Sequence, residues 1–165
     1  MAGTRRKAYE PGHRPKFLVI VDDTPECSRA VRFAARRAGR IGSAVLLLAI
    51  APEAELTPWL GVGDVMRAEA EEEARSLLED AAAIVRSVAG IEPEALVRTG
   101  DKAQEVLKLI EEDEDVALLV LGAGTEASGP GPLVSSLAGQ SSGSFPVPLA
   151  IVPGHLNDQE IDALA

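Results

Sequence analysis

Phe17-Leu-Val-Ile-Val-Asp-Asp-Thr-Pro-Glu-Cys-Ser28 is the stretch on which the reading of the fold turns. Five consecutive apolar residues give way to two aspartates and a Thr-Pro pair. A continuous apolar run of that length is what a strand buried on both faces of a parallel sheet requires. The polar break then marks the strand's C-terminal end, the edge at which open α/β sheets bind ligands. About a hundred residues on, Leu118-Leu-Val-Leu-Gly-Ala-Gly-Thr125 repeats the pattern and runs into a Gly/Ser-rich stretch that closes at Pro146-Val-Pro148.

Between and beyond these runs, strand and helix alternate five times. Strands are expected at 17–21, 44–50, 92–98, 116–121 and 147–152. The first helix is expected to open with Thr24 as N-cap and Pro25 at its first position, and to end near Arg40. Val31, Ala34, Ala35 and Ala38 form its inner face, and its arginines (29, 32, 36, 37, 40) a solvated one. Further helices are expected at 64–89, 102–112 and within 132–142. Strands separated by helices imply crossovers and a parallel sheet. The fold class is therefore α/β: a single doubly wound domain, an open five-stranded parallel sheet with helices on both faces. Residues 1–15 read as a basic, disordered arm, 16–154 as the α/β domain, and 155–165 as a short acidic tail, helical or frayed.

Composition narrows the function classes. At 165 residues, with 46% hydrophobic and 3% aromatic residues, the core is built from Val, Leu, Ile and Ala. The apolar runs fall short of the ~20 residues of a membrane span, and no signal segment is visible. The single cysteine, Cys27, forms no internal disulfide and suits a reducing cytoplasm. Net charge is −10. Without the cationic arm (Arg5, Arg6, Lys7, Arg14 and Lys16 against Glu10) the rest stands near −14, 11 basic against 25 acidic residues. Such a body repels nucleic acid and anionic membrane.

Several motifs fail on context. Gly122-Ala-Gly-Thr-Glu-Ala127 fits G-x-G-x-x-A, but the acidic residue due ~20 positions later is missing. The P-loop spacing from Gly124 meets Pro130-Gly131 where Lys and Ser/Thr belong. Gly139-Gln-Ser-Ser-Gly143 matches a nucleophile elbow, yet it precedes a strand instead of following one. One Cys and two distant His form no metal cluster. Cys27 reads as a buried, unreactive thiol. The loop cluster Trp59-Leu-Gly-Val62 either covers its own sheet or docks a partner.

With these residues quoted, the chain resembles the universal stress protein family over about residues 16–153. Val21-Asp-Asp-Thr24, and later Ser28, one position past the spacing, look like that family's V-D-x-S-x-x-S opening. Pro146-Val-Pro-Leu149 looks like its last-strand entry. The nucleotide loop G-x2-G-x9-G-[S/T] of ATP-binding members falls on Gly122, Thr125, Ser135 and Ser136, so Thr and Ser stand at its second and third glycines. The resemblance implies a non-enzymatic, cytoplasmic stress-response protein that binds an adenine nucleotide weakly or conditionally. ATP or AMP, with Mg²⁺, would lie against Asp22, Ile50, Gly122, Gly124, Thr125, Ser135 and Ser136. Asp23 replaces a usual glycine and adds a repulsion to phosphate of about 1–4 kcal/mol if unscreened. The alternative is an ATP-independent interaction module. Either form is expected to be a homodimer through the last strand, between Val147 and Val152, with the Trp59 loop open to a protein partner.

Overall fold

The computed structural model describes residues 3–53, 62–139 and 142–165. The elements run β1 (Lys16–Val21), α1 (Cys27–Ile41), β2 (Ala44–Ala51), α2 (Val62–Ala89), β3 (Glu94–Thr99), α3 (Lys102–Glu112), β4 (Val116–Ala123), α4 (Pro132–Leu137), β5 (Leu149–Pro153) and α5 (Asp158–Leu164). All strand pairs are parallel and the sheet order is β3-β2-β1-β4-β5. The chain builds outward from β1 on one side, then crosses to the other. The switch point where a ligand crevice belongs therefore lies between β1 and β4.

Strand side chains alternate between two cores. Phe17, Val19, Val21, Val45 and Leu47 face α1 and α2, joined by Ile161 of α5. Leu18, Ile20, Leu46, Leu48 and Ile50 face Val106, Leu109 and Ile110 of α3 and Val134 and Leu137 of α4. Both faces of β1 and β2 are thus dry, which explains their unbroken apolar runs. The alanines of α1 (30, 34, 35 and 38) are fully buried. Their small size draws α2 close: a β-carbon on Gly39 would lie 3.3 Å from that of Ala89. Gly42 ends α1 in the left-handed region (φ 76°), its N–H donating to the Ala38 carbonyl.

Three expectations are corrected. Helix α1 begins two residues later than Thr24-Pro25 suggests, with Glu26 as N-cap. Asp22 is the reason: its Oδ1 accepts the Thr24 N–H at 3.0 Å and the Thr24 hydroxyl. Thr24 is thereby held in an Asx turn, not free to cap the helix. Strand β5 begins at Leu149, since Val147 is buried between two prolines while the Pro148 carbonyl accepts from Leu119 N–H. The arginine side of α1 is not all solvated, because α5 lies on it. Arg32 Nε and Nη2 donate to the Asp162 carboxylate at 2.8 Å each, and Arg36 Nε donates at 2.9 Å.

Residues 3–15 run beside the acidic segment before β4. Lys7 N–H donates to the Glu114 carbonyl, Arg6 Nη1 to the Asp113 carbonyl, and Thr4 N–H to Glu111, while Ala8 is buried. Among the described residues no helix is long and apolar enough to cross a membrane. Trp59 and Leu60, and Ser141 of the elbow-like match, lie outside the described residues.

Candidate functional site

The C-terminal ends of β1 and β2 open into a crevice of about 700 Å³, within the range of ligand pockets. Its floor is Val21, Asp22 and Asp23 after β1 and Ala49, Ile50 and Ala51 at the end of β2. One wall is the Ala70, Ala74 and Leu77 side of α2. The opposite wall is the first turn of α3 (Lys102, Ala103) with Leu133 and Ser136 of α4. The turn before α3 is tied to the floor by Gly100 N–H donating to the Ala51 carbonyl. Most of the lining is apolar, as a flat heteroaromatic ring would require. Among the described residues the polar rim is acidic: Asp22, Asp23, Glu73 and Asp101 against Lys102 alone.

Beside the crevice, and sharing Asp22, Lys102, Pro132 and Leu133 with it, is a recess of about 90 Å³. Gly122, Pro130 and Gly131 line its loop side; Thr24, Glu26 and Cys27 line the other.

The sequence-derived candidates divide. Asp22, Ile50 and Ser136 meet at the crevice, and Gly122 borders the recess. Gly124, Thr125 and Ser135 line neither. The loop's amides do not converge on a common point. Gly124 N–H donates to the Pro130 carbonyl, Gly129 N–H to Glu126 and Ser135 N–H to Gly131, all at 3.0 Å. The first two close the loop on itself and the third opens α4, so these three amides are not offered to a phosphate.

Glu26 is the residue that the sequence did not single out. Its main-chain oxygen lies 2.6 Å from where a β-carbon on Gly122 would stand, and its Oε1 lies 3.1 Å from the corresponding point on Gly124. Its own β-carbon is 3.1 Å from that point on Gly154. The only signal in the sequence is a glutamate following Asp22 and Asp23 in a turn, and nothing there shows that it meets glycines about a hundred residues away. The adjacent Cys27 is buried, and its thiol is pushed up to about 11 by burial, helped by the charges of Asp22, Glu26 and Asp23 and opposed by a hydrogen bond to the Asp22 backbone. It is an inert thiol at neutral pH.

A second cluster was also missed, because its members are far apart in sequence. His13 Nδ1 lies 2.7 Å from Asp115 Oδ1 and 4.0 Å from Glu114 Oε1, with Lys7 Nζ 3.6 Å from Glu114 Oε2. These His and carboxylate atoms sit within 4.8 Å of one another, a spacing a metal ion would accept. Lys7 already engages one of the carboxylates, so the group also serves as an ion-pair cluster that fastens residues 3–15.

Comparison with known proteins adds the following. A sequence model of the universal stress protein family matches residues 13–153. No curated protein matches the chain. Among solved structures, the universal stress protein UspA from Lactobacillus plantarum is 15% identical with a TM-score of 0.69, over 84% of this chain and 97% of its own. The universal stress protein from Archaeoglobus fulgidus in complex with dAMP is 22% identical with a TM-score of 0.62, over 84% and 97%. A universal stress protein in complex with cAMP is 17% identical with a TM-score of 0.61, over 84% and 96%. At these identities the likeness is one of fold.

Proposed function

The chain belongs to the universal stress protein family, and from that premise we propose that it is a non-enzymatic, cytoplasmic stress-response member that binds an adenine nucleotide weakly. The observation that carries this reading is the crevice of about 700 Å³ at the ends of β1 and β2, where Asp22, Ile50 and Ser136 come together. The base would lie on Ile50 between the Ala70–Ala74 side of α2 and Leu133. Asp22, whose side chain is fixed by Thr24, would accept from a ribose hydroxyl. Two related structures hold dAMP and cAMP, which supports the same ligand class here.

The nucleoside part of such a ligand fits this lining and the phosphate part does not. The recess is small, the Gly124, Gly129 and Ser135 amides are already bonded within the loop, and among the described residues four carboxylates face one lysine around the crevice. Mg²⁺ would reduce that repulsion in the ATP complex, with Asp22 and Asp23 as the nearest candidates to share it. The same closed recess favours one second reading, an interaction module of the family that works without ATP.

Calorimetric titration with AMP decides between them. The expected Kd is about 10 µM to 1 mM, lost when Ala70→Trp fills the crevice and weakened by Ser136→Ala. No heat up to millimolar AMP would leave the interaction module standing.

A further inference from the structure

Gly122, Gly124 and Gly154 stand on β4, in the loop after it and just past β5, and all three border Glu26, although a β-carbon on Gly122 would lie nearest its main-chain oxygen and one on Gly154 nearest the Ala123 carbonyl, each at 2.6 Å. A β-carbon on Gly122 would lie 3.0 Å from Glu26 Cγ, one on Gly124 3.1 Å from Glu26 Oε1, and one on Gly154 3.1 Å from Glu26 Cβ. Glycines beyond a strand of an α/β sheet ordinarily let a phosphate approach the backbone. Here the space at Gly124 is taken by the carboxylate of Glu26, the N-cap of α1, whose Cγ and Cβ lie against Gly122 and Gly154. Among the described residues that carboxylate accepts no hydrogen bond and enters no ion pair. Lys102 is, among the described residues, the one cation that lines the recess, together with Asp22 and Glu26.

We propose that Glu26 is the specificity-determining residue of the crevice. It fills the glycine cradle with its own negative charge, so that the site takes the nucleoside end of its ligand and discriminates against each added phosphate. This deepens the nucleotide reading above and rests on it. A phosphate chain entering from the crevice meets the Glu26 carboxylate in a space of about 90 Å³. Binding therefore requires Glu26 to swing out or the phosphates to stay in solvent. The preferred ligand is adenosine or a close analogue with no phosphate.

Calorimetry with adenosine, AMP and ATP–Mg²⁺ at low salt tests this on the wild-type chain, Glu26→Gln and Glu26→Ala. Wild type is expected to bind adenosine at least about tenfold more tightly than ATP, with AMP between. Glu26→Gln keeps the packing and removes the charge, and should shrink that ratio. Glu26→Ala also empties the cradle and should bring the ratio to about one or invert it. Inorganic tripolyphosphate provides the arm that needs no nucleoside, and is expected to bind Glu26→Ala but not wild type.

Should adenosine and AMP leave the wild type silent while tripolyphosphate binds Glu26→Ala alone, the nucleotide reading falls and the role of Glu26 stands. Adenosine binding with an ATP-to-adenosine ratio unchanged in both variants overturns the role of Glu26 and leaves the nucleotide reading intact. A wild type that prefers ATP to adenosine overturns it as well. So does silence toward tripolyphosphate in both proteins.

Discussion

Gly122 and Gly124 meet Glu26 in different ways, and the difference is measurable. A β-carbon on Gly122 would stand 2.6 Å from the Glu26 main-chain oxygen, in backbone that cannot retreat without moving α1. A β-carbon on Gly124 would meet the tip of the Glu26 side chain at 3.1 Å, which a rotamer change relieves. Gly122→Ala is therefore expected to destabilise the chain by about 1–3 kcal/mol, the usual cost of overpacking. Gly124→Ala should cost less. In urea-denaturation cycles with Glu26→Ala, the cost of Gly124→Ala should disappear and that of Gly122→Ala should persist. Equal rescue of both would show that the slot is looser than these distances. This residue-scale detail was only half legible in the sequence. Asp22 could be placed at the sheet edge because it follows the apolar run of β1, whereas Ile50 and Ser136 came from the resemblance to the family's motif. The role of Glu26 depends on three glycines brought together from two distant segments. The N-cap was misplaced because Thr-Pro is a good helix start by local chemistry, whereas Asp22, two residues earlier, holds Thr24 in a turn of its own.

At the scale of elements, the pairing of α5 with α1 carries a pH dependence. The Asp162 carboxyl is held well below the usual carboxylate range by hydrogen bonds from Arg32 and then Arg36. Asp158 approaches Arg32 Nη1 at 3.6 Å, and Arg40 Nη2 donates to the Asp162 carbonyl, so α5 meets three cations of α1. A depressed folded-state pKa contributes stability that is present above the unfolded value of about 3.9 and is lost as pH falls through the folded one. The Tm difference between wild type and Asp162→Asn should thus be constant from pH 7 to 5 and shrink below about pH 4. A difference that stays constant to pH 2 would mean that packing of Ile161, not charge, holds the helix. The span of α3 was legible, because Val106 and Ile110 recur at helical spacing and are buried, but Leu107, expected to face inward with them, is 38% exposed, and the Asp101 cap that accepts from Gln104 N–H was not read. Helix α5 was left open between helix and frayed tail. Its capping box of Asn157 and Glu160 is written in the sequence, but its docking on arginines about 130 positions earlier is not.

At the scale of the whole molecule, the alternation of five apolar runs with helical segments was enough to give the sheet and its two cores, since burial on both faces leaves that mark. A proposal on assembly rests on a different feature, the two edges of the sheet. The β3 edge is guarded by charge: Glu94 pairs with Lys16 Nζ at 3.1 Å, and Arg98 pairs with Glu112. Such an edge resists pairing with another strand. The β5 edge is apolar, and Ile151 is 40% exposed on it. It is also short, with Pro153 bringing no N–H to the ladder, so it invites one partner strand and not an extended stack. We propose that a second copy of the chain pairs there, as expected for the last strand. Sedimentation velocity should give a dimer at tens of micromolar protein, and Ile151→Lys should convert it to a monomer with an unchanged far-UV spectrum. A wild-type monomer at that concentration, or a dimer that survives Ile151→Lys together with Leu149→Lys, would place the contact elsewhere. The crevice opens on Asp22 and Ile50, at the ends of β1 and β2 and two strands or more from this edge. The Ile151→Lys monomer should therefore bind AMP as the dimer does, which separates assembly from ligand recognition in one titration.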